Sequence, residues 1–395
     1  MRKGVAPVAC FLAGLAAAAL LTIGARAQAP SAEISASAVR VRIADAIEKR
    51  DGTAVGATAD LLAAMGAGLS PESQQRIAPF LSEERRQSLH AAFAENVQPV
   101  AVSVPYDAIP AKYRLVEGLA FDARTRRLFA GTVVNGRLLV RDIAGWQAIA
   151  LPEGLGGLFG MALDDRRRRL WVANGVAEPV ADRRSIAPGL IEIDVDTLQV
   201  VARHPLPQGS TGTPGDVTIG FDGSVYVSDG VKGGIYRCAP GCAALEDFVA
   251  VGSLRRPQGM VPTFDRRGLL VADYAKGLAR VDLSDGQVTW LHAAVPEMLD
   301  GIDGLLRDGG ALFAIQNGTV PRRLLRITLN EQETAIDRVA VVEREHPQWG
   351  EPTLATMVGG QLVYVADGQW EVYGPGGSVR SGAARDTALR TLPRP

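Results

Sequence analysis

A block of one design recurs six times in this chain: an apolar run, an acidic or glycine turn, a second run ending in a small polar or acidic residue, then a third run. The first runs read LVEGLAFD, LFGMALD, GDVTIGFD, QGMVPTFD, IDGLLRD and TLATMV. The second runs read RLFAGT, RLWVAN, SVYVSD, RGLLVADY, ALFAIQN and QLVYVAD. With Glu117, Phe159, Asp216, Gln258, Asp303 and Thr353 taken as equivalent, the steps are 42, 57, 42, 45 and 50 residues. Third runs follow as RLLVRD, LIEIDVD, GIYRC, GLARVDL, RLLRITL and WEVYG, with a weaker fourth run in most copies. A repeat of this length holds a four-stranded antiparallel sheet that cannot bury both faces alone. Six such sheets packed radially make an all-β, six-bladed β-propeller, expected over residues 98–395 with a short C-terminal tail. The run VAVSVPY ahead of the first copy is expected to pair with the sixth and close the ring.

Two segments precede the repeats. Residues 1–27 read as a signal peptide, with Arg2 and Lys3, an apolar stretch from Val5 to Ile23, and Ala25-Arg26-Ala27 as the cleavage site. Residues 28–97 read as helical, because apolar residues recur every three or four positions in IADAIEKR, ADLLAAMGAGL and QQRIAPFL. Ser70-Pro71-Glu72 and Ser82-Glu83-Glu84 mark helix starts. The leader carries three of the 42 basic residues and no acid, so the mature chain has a formal charge of −4. That balance offers no electrostatic basis for nucleic acid or an anionic membrane. Of the three cysteines, Cys238 and Cys242 remain after cleavage, and in an oxidising compartment they are expected to close a small loop disulfide. The expectation is a periplasmic or secreted monomer with no membrane span once the leader is removed.

Blade geometry sorts the recurring polar residues. The start of each innermost strand and the end of the second strand lie on one face, here called the top. Glu117, Asp216, Gln258 and Asp303 open innermost strands and therefore ring the channel mouth. Asn174, Asp229, Asp273, Tyr274, Asn317 and Asp367 end second strands, on the same face but farther out. Asp122, Asp164, Asp222, Asp265 and Asp308 fall in the bottom hairpins, where aspartate serves the turn itself. The Arg166–Arg169 run beside them reads as a solvated turn edge. Three carboxylates and an amide oxygen converging on one point suit a hard divalent cation, Ca²⁺ before Mg²⁺, Mn²⁺ or Zn²⁺, because the donors are oxygens without histidine or thiolate.

VEGLAFD, PGDVTIGFDG-SVYVSD, PQGMVPTFD and IDGLLRD together resemble the SMP-30/gluconolactonase/LRE-like family over roughly residues 98–375. The resemblance implies a six-bladed propeller and a divalent ion held by Glu117 and Asp303, with Asp303 also matching the proposed general base. Two positions depart from the family pattern. Pro214-Gly215-Asp216 stands where Pro-Asn-Asp is usual, and Gln258 stands for asparagine. The implied activity is hydrolysis of a lactone or related ester, the metal polarising the carbonyl and Asp303 assisting water. Arg183, Arg184 and Tyr274 are the candidate substrate contacts, the arginines lying in a long top loop, residues 175–189. The alternative is a non-catalytic propeller that binds a ligand or a protein on the same face. A strictosidine-synthase-like or oxidoreductase propeller ranks below both, since no cofactor motif is visible.

Overall fold

The computed structural model describes residues 35–183 and 186–393. The leader read at residues 1–27 and the beginning of the helical stretch lie outside these limits. Four helices come first: α1 (Ala36–Glu48), α2 (Gly52–Ala64), α3 (Pro71–Ile77) and α4 (Glu83–Asn96). Ser70 and Ser82 start α3 and α4, their side chains accepting the N–H groups of Ser73 and Arg85. Caps of this kind contribute about 1 kcal/mol each. Val39, Ile43 and Ala46 bury one face of α1, and they join Val55, Ala59, Leu62, Leu89 and Phe93 in a shared core. Met298, from the loop before blade five, enters the same core and ties the helices to the propeller. Asp300 accepts the N–H groups of Ala36 at 3.1 Å and Ser37 at 2.9 Å, which places a carboxylate against the positive end of α1.

Six four-stranded antiparallel sheets follow, each running outward from the channel in chain order except the last. Their innermost strands are Val116–Asp122, Gly157–Asp164, Pro214–Ile219, Pro257–Pro262, Ile302–Asp308 and Ala355–Val358, in blades one to six. The sixth blade is closed by the strand Val104–Ile109, which pairs with Thr387–Thr391. Early and late chain therefore share one sheet. The closing strand lies where the VAVSVPY run leads, but the third strand of that blade is not WEVYG. It is Thr387–Thr391, and residues 366–386 form a loop that leaves the sheet and returns. WEVYG has a strand-like composition, yet its apolar residues are spent inward: Val372 and Tyr373 are buried against the cores of blades two and three. The C-terminal residues up to 391 thus belong to a blade, not to a tail.

The bottom hairpins show why aspartate recurs there. Asp122, Asp164, Asp222 and Asp265 each accept a backbone N–H two or three residues farther on. The arginine run is less solvated than its composition implies. Arg168 is 12% exposed and grips the fully buried carboxylate of Asp122 at 2.6 Å, bridging blades one and two, and also reaches Asp196 at 3.0 Å. Arg168 holds the Asp122 carboxyl far below the usual carboxylate range.

Candidate functional site

The top of the channel is built by a repeated backbone irregularity. In each of blades one to five the pairing of the first two strands slips at the start of the inner strand, at 116/119, 158/161, 214/217, 257/260 and 302/305. A bulge of this kind leaves residues unpaired and re-aims their side chains. The re-aimed positions include Glu117, Phe159, Asp216, Gln258 and Asp303. Glycine follows four of them, and close approach between neighbouring blades is the reason. A Cβ on Gly118 would stand 2.1 Å from the Phe159 carbonyl oxygen, and one on Gly160 only 2.6 Å from Asp216 Cα. The motif is therefore a packing device: the glycine of one blade receives the functional position of the next.

Glu117, Asp216, Gln258 and Asp303 all line one cavity of about 390 Å³ at this mouth, together with Tyr274. Residues at second-strand ends fix the loops that lead into these positions. Asp273 accepts the N–H of Arg255 at 2.6 Å and of Arg256 at 3.1 Å, just ahead of Gln258. Asp229 accepts the N–H of Thr213 at 3.2 Å, ahead of Asp216. Asn317 departs from this role and turns inward. Its Nδ2 donates to Asp303 Oδ2 at 2.7 Å, while its Oδ1 accepts the Tyr274 hydroxyl at 3.0 Å.

One of the proposed substrate contacts lies elsewhere. Arg183 is exposed and donates to the carbonyl of Glu178 in its own loop, so it does not line the cavity. A flexible arginine on a long loop finds a nearer acceptor in that loop's backbone. Arg184 lies outside the described residues. From that loop it is Ala177 that reaches the cavity wall.

Three side chains complete the site. Trp370, from the blade-six loop, donates Nε1–H to Glu117 Oε2 at 2.7 Å and stacks on Phe159 with ring centroids 6.4 Å apart. Arg256 lies over the Tyr274 ring at 5.0 Å, and Glu351 adds a fourth carboxylate to the lining. Arg256 sits two residues before Gln258, so its position was readable once the inner strand was aligned. Glu351 stands just before the irregular start of blade six, outside any repeat unit, and only proximity in space reveals it.

The electrostatics single out Asp303. Burial raises its carboxyl to about 6, against the opposing effects of the Asn317 hydrogen bond and the Arg256 charge. Burial also lifts Glu117 and Asp216 well above the usual range, and the charge of Asp303 adds to both shifts. Glu351 is raised to about 7, by burial and then by Asp303. Four acids thus face one another with Arg256 as the cation in the cavity lining.

That donor set has the chemistry of a hard-cation site. Its spacing is looser than a direct grip by every carboxylate, since ligands at about 2.3–2.6 Å from Ca²⁺ stand within roughly 5 Å of one another. Among the described residues, the one trio of His, Cys, Asp or Glu with ligand atoms within 4.8 Å of one another is His204, Cys238 and Cys242. There the two sulfurs are joined to each other as a disulfide. A cation at the mouth would reach the farthest of Glu117, Asp216 and Asp303 through water or after a side-chain rotation.

Solved structures share this architecture. A luciferin-regenerating enzyme superposes with a TM-score of 0.50 at 12% identity, over 75% of this chain and 96% of that one. The fold is common to both. The PQQ-bound form of aldose sugar dehydrogenase from Streptomyces coelicolor matches with a TM-score of 0.50 at 15% identity, over 75% and 99%. A gluconolactonase from Xanthomonas campestris is also similar, with a TM-score of 0.48 at 18% identity over 76% and 99%. No family model and no curated protein sequence matches the chain. The likeness read from the sequence motifs is therefore met in three dimensions at the level of the propeller. Proteins with different chemistries share that scaffold, so the activity has to be argued from the site.

Proposed function

We propose that this protein is a metal-dependent hydrolase acting on a lactone or related ester. One observation carries the reading: acids from blades one, three and five, distant in sequence, line the mouth of a single cavity, Glu117 and Asp216 buried and Asp303 half-buried. Glu117, Asp216 and Gln258 are the side chains that would hold a divalent cation, with Asp303 beside them, and their oxygen-only chemistry favours Ca²⁺. A cation bound there supplies polarisation of the substrate carbonyl. Asp303 lines the cavity with one oxygen occupied by Asn317, so it is the group to accept a proton from an attacking water. With its carboxyl raised to about 6, it is ionised at neutral pH yet basic enough for that step. Phe159, Trp370 and Tyr274 form walls against which a small ring can lie.

The leader-like residues 1–27 and the Cys238–Cys242 bridge support a periplasmic or secreted location. Among the described residues no helix is long and apolar enough to cross a membrane. A second reading, a non-catalytic ligand-binding propeller, draws support from the spread of the carboxylates beyond a direct three-way grip. A panel of sugar and acyl lactones, assayed with Ca²⁺, Mn²⁺ or Zn²⁺ and with chelator, separates the two. Hydrolysis should require metal and fall at least about a hundredfold in Asp303→Ala. Hydrolysis indifferent to both, or none on any lactone, removes the enzymatic reading.

A further inference from the structure

A second, larger cavity of about 570 Å³ lies between the helical segment and blade five. Its size falls within the roughly 300–1,000 Å³ of small-molecule sites. Arg40 of α1, Arg76 of α3 and Arg322 of the blade-five loop line it, and among the described residues no aspartate or glutamate does. Ile43, Ile47, Leu69 and Val320 supply an apolar wall. The backbone around it is fixed, because Gly68 N–H donates to the Val320 carbonyl at 2.7 Å and locks the helical segment to the propeller loop.

The charge at this pocket is only partly compensated. Asp300 attracts the Arg40 guanidinium, but less than burial disfavours its charge. Both Asp300 oxygens are already taken up by Ala36 and Ser37 at the start of α1. Arg322 spends one nitrogen on the Gly350 carbonyl at 2.5 Å, while its charge opposes the upward shift of Glu351. Asn317 lines both this pocket and the acidic cavity. The two chambers therefore adjoin with opposite charge: four carboxylates on one side, three guanidinium groups on the other.

We propose that the pocket between the helical segment and blade five binds a small amphiphilic anion. Its carboxylate sits between Arg40 and Arg76, and its apolar body lies along Ile43, Ile47 and Leu69. Guanidinium groups match a carboxylate with paired hydrogen bonds, and the aliphatic wall removes the attached chain from water. The inference goes beyond the hydrolase reading and stands without it.

Titration calorimetry of the whole protein with decanoate tests it. Decanoate should bind saturably at one site, with acetate and decan-1-ol at least about tenfold weaker, since each lacks half of the recognised chemistry. Arg76→Ala and Arg40→Gln should each weaken binding by about tenfold. Ser73→Trp, which fills the pocket from α3, should abolish it, and circular dichroism and melting temperature report whether each variant is folded. Asp303→Asn should bind decanoate like the native protein, so loss of hydrolysis and loss of this site are distinguishable. The proposal is overturned if the native protein shows no saturable binding or if decan-1-ol binds as tightly as decanoate. Affinity that survives the changes at Arg40, Arg76 and Ser73 in folded protein overturns it equally.

Discussion

Acids occur at both ends of the channel, and the two ends treat them oppositely. At the bottom, Asp122 is held by Arg168 and by turn N–H groups, and Asp265, lowered to about 2, accepts from Thr263, Arg267 and Arg280. At the top, Asp303 is raised to about 6 and Glu351 to about 7, and Glu117 and Asp216 are pushed up as well. The residue types are the same; what differs is the supply of donors. Bottom hairpins are tight turns rich in N–H groups and flanking arginines, so ionised aspartate strengthens the fold. The mouth gathers acids from separate blades around a shared cavity with one arginine, so ionisation there opposes the fold and leaves the acids available for a cation or a proton. Perturbation in this direction marks a working site more than a structural one.

Exchanging neutral residues into the two ends should break the comparison most sharply. Asp303→Asn is expected to cut lactone hydrolysis by about 10²–10⁴ while leaving the melting temperature unchanged or higher. Arg168→Met should do the reverse, costing about 3 kcal/mol by stranding the buried Asp122 carboxylate, with kcat/KM preserved well below the melting transition. Denaturant titration and initial rates on both variants decide it; two variants that behave alike would erase the distinction.

Trp370→Phe sharpens the top-face half. Phenylalanine keeps an aromatic ring beside Phe159 but removes the N–H that Glu117 accepts at 2.7 Å. Loss of a partner to a ligand carboxylate should weaken divalent-cation binding by about tenfold, read by calorimetry with Ca²⁺. Equal affinity would place Glu117 outside the cation's reach.

The smallest expected effect is in pH dependence. Asp303 and Glu351 have folded-state values above their unfolded ones, so their contribution to stability is fully present below about pH 4. It is lost as pH rises through about 6 and 7. In chelator, the melting temperature should therefore fall by a few degrees across that window. Added Ca²⁺ should restore it, and Asp303→Asn should flatten the slope. A chelated protein whose stability rises over this range would contradict the assigned shifts.

Much of this was legible in the chain before any coordinates. The inner-strand starts and second-strand ends recur in the sequence at blade spacing, which is why Glu117, Asp216, Gln258, Asp303 and Tyr274 could be placed on one face. Asp–turn pairs at the bottom were equally readable because they are local. Trp370 opens the WEVYG run that was expected to be a strand, and only the loop that replaces that strand brings it to Glu117. Glu351 follows no period, and the composition of the 175–189 loop does not say where the long side chain of Arg183 finds its acceptor.

Periodicity is a local property repeated, so the chain alone dictated the number of blades, the face on which the acids lie and the helix starts at Ser70 and Ser82. Which acids are short of donors, and how far apart their oxygens stand, depend on distances between blades. So does the arginine-lined chamber where the helices dock. Those distances arise only when residues hundreds of positions apart, such as Ala36 and Asp300, pack together and exclude water, and the tertiary structure decides them.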